Sequence, residues 1–138
     1  MLISNYTGTN SRGETVQLHD YRRQKNLVAI LTGAKEYSSL TPLLAELAAR
    51  YDEFKTEEAE IVLMLRKGTV EPGDGHTLPF PALVMKDDQD APPPATAVYV
   101  ADRFGELFAT YQLTAEASLP APDDLLEWLR FIELQCPE

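Results

Sequence analysis

Cysteine is nearly absent: the chain has one, Cys136, close to its last residue. No intramolecular disulfide can form, and no cysteine cluster can hold a metal. Positive charge is also scarce, with 12 Lys and Arg against 22 Asp and Glu, for a formal net charge of −10. Such a surface repels phosphate backbones and anionic lipid, which argues against nucleic-acid and membrane-surface partners. No apolar stretch approaches the roughly 18 residues that span a bilayer. The opening MLISNYTGTN lacks a basic segment followed by a long apolar run, so no secretory signal is expected there. One free thiol suits a reducing compartment, and the expectation is a cytoplasmic protein. His19 and His76 are the two histidines, and with Asp74 and the Asp87, Asp88, Asp90 run they show no His-x-x-x-His, Cys-x-x-Cys or calcium-loop spacing. Neither a metal nor a cofactor is expected.

What is present is a core. Apolar residues make up 44% of the 138 residues, enough for one domain over residues 1–138. Residues 4–14 are polar and read as a loop. Thr15 to His19 alternates, with Val16 and Leu18 on one side, and predicts a short half-exposed strand. Leu27–Leu31 and Ile61–Leu65 are unbroken apolar runs, which predicts central strands buried on both faces. Between them, apolar residues at 40, 43, 44, 47, 51 and 54 make one helical stripe over about Ser39 to Glu58. Ser38, Ser39 or Thr41 can cap that helix, and Pro42 fits its first turn. Strand, helix, strand in this order predicts a parallel pair with a right-handed crossover.

Residues 66–79 hold three glycines and two prolines without helical period and read as a long loop. Phe80 to Met85 predicts a short strand, with Pro81 at its start. Pro92, Pro93 and Pro94 follow the aspartates and mark a second break. Thr96–Ala101 and Glu106–Tyr111 flank the turn Asp102–Gly105 and predict an antiparallel hairpin. After Pro120 and Pro122 a second helix runs from Asp123 to about Gln135, with Asp123 and Asp124 in its first turn. Leu125, Leu129, Ile132 and Trp128 supply its packing stripe; Trp128 and Phe131 are also candidates for a neighbour-facing apolar patch. The expected class is α/β, a central mixed sheet of about five strands with helices on both faces.

That order resembles the thioredoxin fold and, within it, the redoxins of the alkyl hydroperoxide reductase and thiol-specific antioxidant type, the peroxiredoxins. Four stretches carry the likeness. Gly13-Glu-Thr-Val-Gln-Leu-His-Asp-Tyr-Arg22 resembles the family's opening hairpin and strand. Asn26–Leu31 resembles the strand that leads to the active site. Leu78-Pro-Phe-Pro-Ala-Leu-Val84 resembles the strand before the final hairpin, and Ala97-Val-Tyr-Val-Ala-Asp-Arg-Phe-Gly-Glu-Leu107 resembles that hairpin. The family sets a reactive cysteine at the first turn of the helix after the active-site strand, where N–H groups and the positive helix end favour thiolate. Matching that pattern here places Tyr37 and Leu40 at the two cysteine positions and Thr96 at the family's proline. A phenol and an isobutyl group cannot attack a peroxide or disulfide at neutral pH.

Lys35, Glu36, Ser38 and Ser39 occupy the loop where the resemblance implies an active site, and with His76 they outline a candidate groove. Adjacent Lys35 and Glu36 fit an acid–base pair or a solvated loop. Ser38 and Ser39 fit a nucleophile only with a histidine base, and fit helix capping without one. Gly33 is a lone glycine, without the spacing of a phosphate loop. Cys136 is either an incidental thiol or a redox thiol acting alone or in trans. The expectation is therefore a redoxin homologue without thiol catalysis, binding an unknown protein or small molecule and leaving room for a homodimer. The alternative is an antioxidant oxidoreductase that reduces peroxide or disulfide through Cys136.

Overall fold

Leu27-Val-Ala-Ile-Leu31 offers no polar face, and the structure buries both of its faces. This computed structural model describes residues 2–3, 6–10, 12–21, 24–32, 37–65, 78–85, 96–112 and 119–135, with the backbone alone for 37–39 and 135. In chain order the elements are β1 (Thr7–Thr9), β2 (Thr15–Gln17), a 3-10 turn (Leu18–Tyr21), β3 (Asn26–Thr32), α1 (Tyr37–Ala49), α2 (Tyr51–Thr56), β4 (Ala59–Leu65), β5 (Ala82–Met85), β6 (Thr96–Ala101), β7 (Leu107–Gln112) and α3 (Pro122–Gln135).

β3 pairs in parallel with β4 and antiparallel with β6, along nearly its whole length on each side. Among the described residues the strand order is β2-β1-β5-β4-β3-β6-β7, one mixed sheet of seven strands rather than about five. β1 and β2 lie antiparallel to each other beyond β5, and β1 is the strand the sequence did not predict. Residues 4–14 therefore hold more than loop. Thr7-Gly-Thr9 pairs with β5 because Gly8 lets the backbones close up; a Cβ there would come within 2.9 Å of Leu83 Cβ and of the Val84 carbonyl oxygen. The β1–β2 connection is tied by Asn10, whose Oδ1 accepts from the N–H groups of Arg12 at 2.9 Å and Glu14 at 3.0 Å. The alternation over Thr15 to His19 ends at Gln17, where the chain turns into the 3-10 segment and buries Leu18.

Alternate strand residues sort into two cores. Val28, Ile30, Ile61, Leu63, Val98 and Val100 face Leu40, Leu44 and Leu47 of α1, Phe54 of α2, and Leu125, Leu129 and Ile132 of α3. Leu27, Ala29, Leu31, Val62 and Met64 face Ile3, Leu18, Tyr6 and Tyr21. All three α-helices thus share one face. Among the described residues the other face carries only the N-terminal segment and the 3-10 turn, a correction to the expectation of helices on both.

The single helix expected over 39–58 is two. α1 begins two residues earlier, at Tyr37, and stops at Ala49; α2 restarts at Tyr51. Arg50 lies between them, and its N–H is shared between the carbonyls of Glu46 (3.1 Å) and Leu47 (3.2 Å). Its guanidinium reaches Glu53 at 2.8 Å and Asp123 at 2.8 Å, so the break ties α1 and α2 to the start of α3. Pro42 sits beyond the first turn of α1, where it has no N–H to give to the Ser38 carbonyl. The start of β4 has a local device of its own. β5 begins only opposite Leu63, so the Ile61 N–H is met instead by Glu60 Oε2 at 3.0 Å. The same oxygen accepts from Tyr51 Oη at 2.5 Å, and burial followed by this bond pushes the Tyr51 phenol well above its ordinary range.

At the sheet end where β3 begins, polar groups join the elements. Asn26 is fully buried, and its Nδ2 donates to Glu133 Oε2 at 2.6 Å and to the Glu57 carbonyl at 3.2 Å. Arg103 donates to the same Glu133 oxygen at 2.7 Å, and Arg130 on α3 reaches Glu57 at 3.2 Å. The hairpin turn is fastened by Asp102 Oδ1, which accepts from Phe104 and Glu106, each at 2.9 Å, with Gly105 at φ 87°. Burial pushes the Glu133 carboxyl up, and the hydrogen bonds from Asn26 and Arg103 outweigh it, leaving Glu133 below its usual range. A carboxyl lowered by folding adds stability above its unfolded pKa, and that share is lost as pH falls through the folded value. Stability measured by denaturant midpoint from about pH 7 down to about pH 3 should fall more steeply in the wild type than in Glu133→Gln, which starts lower and carries no such proton.

Candidate functional site

The strand directions gather one set of chain ends at one sheet edge. Thr32 ends β3, Leu65 ends β4 beside it, and Thr96 begins β6 on its other side, all in register. Gln112 ends β7 at the same level, opposite Ala97. From β3 the chain crosses by α1 and α2 to β4 on one side, and it later returns to β6 on the other. The order of connection therefore reverses between β3 and β6, and in open α/β sheets the crevice outside such a switch point is where ligands bind. α1 starts here, with its first N–H groups unpaired within the helix and its positive dipole end toward this edge.

The positions identified in the sequence fall around this edge unevenly. Tyr37 is the first residue of α1, and Ser38 and Ser39 lie in its first turn rather than before it, so neither stands at the cap position. Leu40 is fully buried among Leu43, Leu44 and Leu47 in the first core. Thr96 is fully buried at the first position of β6. Gly33, Lys35, Glu36, His76 and Cys136 lie outside the described residues, as do the loop over 66–77, the aspartates at 87, 88 and 90, and Pro92–Pro94. His19 lies in the 3-10 turn, after β2.

One site residue was missed in the sequence. Thr32 closes β3, its side chain is fully buried, and its Oγ1 lies 3.1 Å from Thr96 Oγ1. Either hydroxyl can donate. The pair bolts the end of β3, where the chain leaves for α1, to the start of β6, where it returns. The signal was faint: a threonine ending an apolar run is equally a strand end in any sheet, and only the β3–β6 register brings it opposite Thr96. Among the described residues no group of three His, Cys, Asp or Glu is arranged to hold a metal ion.

Removing the Thr32 hydroxyl takes from the buried Thr96 hydroxyl the partner it has here, which costs about 1–3 kcal/mol, whereas removing both leaves an apolar contact of similar shape. Thr32→Val should therefore destabilise by about that amount. Adding Thr96→Val should cost less than the sum of the two single changes, as read by a double-mutant cycle of unfolding free energies.

No family model matches the chain, and no curated protein matches it. Solved structures do. The mitochondrial 2-Cys peroxiredoxin from Plasmodium falciparum superposes with a TM-score of 0.72 at 11% identity, over 96% of this chain and 92% of that one. The thioredoxin domain of a thiol-disulfide oxidoreductase from Bacteroides vulgatus gives 0.63 at 15% identity, over 96% and 95%. The exposed lipoprotein thioredoxin from Streptococcus pneumoniae gives 0.62 at 16% identity, over 93% and 99%. At these identities the likeness is one of fold, and it runs the length of both chains: the protein has a thioredoxin-like fold, with a seven-stranded mixed sheet among the described residues.

Proposed function

We propose that this chain is a redoxin homologue that performs no thiol catalysis at its helix tip. In this reading it acts as a binding or regulatory protein in a reducing compartment, through the sheet edge around Tyr37 and Thr96. The observation that carries the reading is at Leu40. Matched to the second cysteine position of the resemblance, it holds an isobutyl group that is fully buried in the core. No cysteine occurs anywhere in the chain before Cys136, so nothing between β3 and β4 can supply a thiolate. The hydroxyls at the edge do not replace it. Thr32 and Thr96 are buried against each other, and among the described residues no histidine lies at this edge to serve as their base. What the edge offers is a helix start at a switch point, which suits recognition of a small molecule or protein segment.

The competing reading gives the chemistry to Cys136. Peroxide consumption with a thiol reductant, run on the wild type and on Cys136→Ser, separates the two. No turnover by either protein, with unchanged circular dichroism, is the expected result. Turnover that disappears in Cys136→Ser would make the chain a thiol oxidoreductase and overturn the proposal, as would turnover that survives the substitution.

A further inference from the structure

Leu2 and Ile3 are fastened at one end of the sheet, and β1 lies at the other. Leu2 bridges to Glu106 in antiparallel sense, and the Ile3 N–H donates to the Gly105 carbonyl at 2.8 Å, in the turn of the β6–β7 hairpin. That turn stands beside the start of β3, since Ala101 pairs with Leu27. β1 pairs with β5 at the opposite end: Gly8 is level with Met85, and Val84 with Leu65, the last residue of β4. In the sheet order β3, β4 and β5 stand between the hairpin and β1. Ile3 and Tyr6 both pack in the second core, so the segment from Leu2 to Tyr6 is tied diagonally across that face.

The two attachments of this segment are unequal. Beyond Tyr6 the chain is held on both sides, because β1 pairs with β2 and with β5, and the Leu18 N–H donates to the Tyr6 carbonyl at 2.9 Å. At the first end, among the described residues, the hold is the Leu2 bridge, the Ile3 hydrogen bond and the Ile3 side chain, which is 4% exposed. Those contacts work against the entropy of ordering the main chain. Letting them go breaks no pairing of β3 with β4 or β6. It also leaves the first core untouched: the three α-helices pack there, on the opposite face, and neither Ile3 nor Tyr6 belongs to it. What it uncovers is the second core, where Leu27, Ala29, Leu31, Val62 and Met64 face Ile3 and Tyr6 together with Leu18 and Tyr21 of the 3-10 turn.

We propose that residues 2–6 are a releasable strap. The strap leaves the β6–β7 turn as a unit, pivots on β1, and opens the second core to solvent while the sheet and its three helices stay folded. Elements that move come from the least stable parts of a fold, and this one joins a lightly held end to a doubly paired pivot. In the closed state the strap itself occupies the face that its release would bare. The inference does not depend on what the helix tip binds.

The test is native-state hydrogen exchange on the full chain at low denaturant. The Ile3 amide should exchange at least about tenfold faster than the amides of Ala29 and Ile30, and with a weaker dependence on denaturant. A disulfide should pin the strap. Leu2 and Glu106 are both exposed and oppose each other as a non-hydrogen-bonded pair, a geometry with Cα atoms about 4.5 Å apart and within reach of a bridge. Leu2→Cys with Glu106→Cys, in a Cys136→Ser background, should slow Ile3 exchange at least about tenfold when oxidised and lose that effect on reduction. Ile3→Asp should bind the apolar-surface dye ANS while keeping its helical circular dichroism. Ile3 exchange with the rate and denaturant dependence of β3 would overturn the proposal, as would an oxidised bridge that leaves Ile3 exchange unchanged. So would an Ile3→Asp chain that folds and binds no dye, or one that loses its helices, since the strap would then open only with the whole fold.

Discussion

The structure depends on one strand that has no outside. β3 is buried on both faces and paired along both edges, in parallel with β4 and antiparallel with β6. An unbroken run of Leu, Val, Ala and Ile has no other stable place, since any exposed face would leave apolar area in water at about 25 cal/mol per Å². Once β3 is central, much of the rest is constrained. The crossover to β4 puts α1 and α2 on one face, and α3 packs on the same face across β6 and β7. The start of α1 is then fixed to the end of the sheet where Thr32, Leu65, Thr96 and Gln112 lie level.

The two ends of the sheet have different physics. Where β3 begins, buried and half-buried polar groups are committed to one another: Asn26 to Glu133, Arg103 to Glu133, Arg130 to Glu57, and Asp102 to the turn it closes. Such a network holds α3 and the hairpin to the sheet. Where β3 ends, a neutral hydroxyl pair joins the elements among the described residues, and α1 starts above it with its first N–H groups unpaired within the helix. That division fits a protein which keeps a redoxin scaffold and uses its edge for recognition.

Much of this was legible in the residues, and the failures have physical reasons. β3, β4, the β6–β7 hairpin and α3 were readable because each is a long apolar run or a clear helical stripe. β1 was not, because Thr7-Gly-Thr9 has no pattern of its own and becomes a strand only when Gly8 meets β5. The break at Arg50 was hidden because the apolar stripe runs on through Leu47, Tyr51 and Phe54; at the break Arg50 pairs with Glu53, three residues on, and with Asp123 on α3, a tertiary contact. At the candidate site, Tyr37, Leu40 and Thr96 were singled out through the resemblance. Thr32 was invisible until the β3–β6 register placed it opposite Thr96. Trp128 and Phe131 were seen as an apolar patch; the structure sets them against Tyr111 and Phe108 of β7.

On the proposed function, the helix tip keeps the surroundings that favour a thiolate and lacks the sulfur. The direct measurement is the pKa of a thiol placed there, Tyr37→Cys in a Cys136→Ser background, read from ultraviolet thiolate absorbance against pH. A helix start with unpaired N–H groups and a positive dipole end should hold that thiol at about 7.5 or lower, against about 8.5 for a free cysteine. A value at or above about 8.5 would contradict the claim, because the tip would then be unable to activate the nucleophile even when one is supplied.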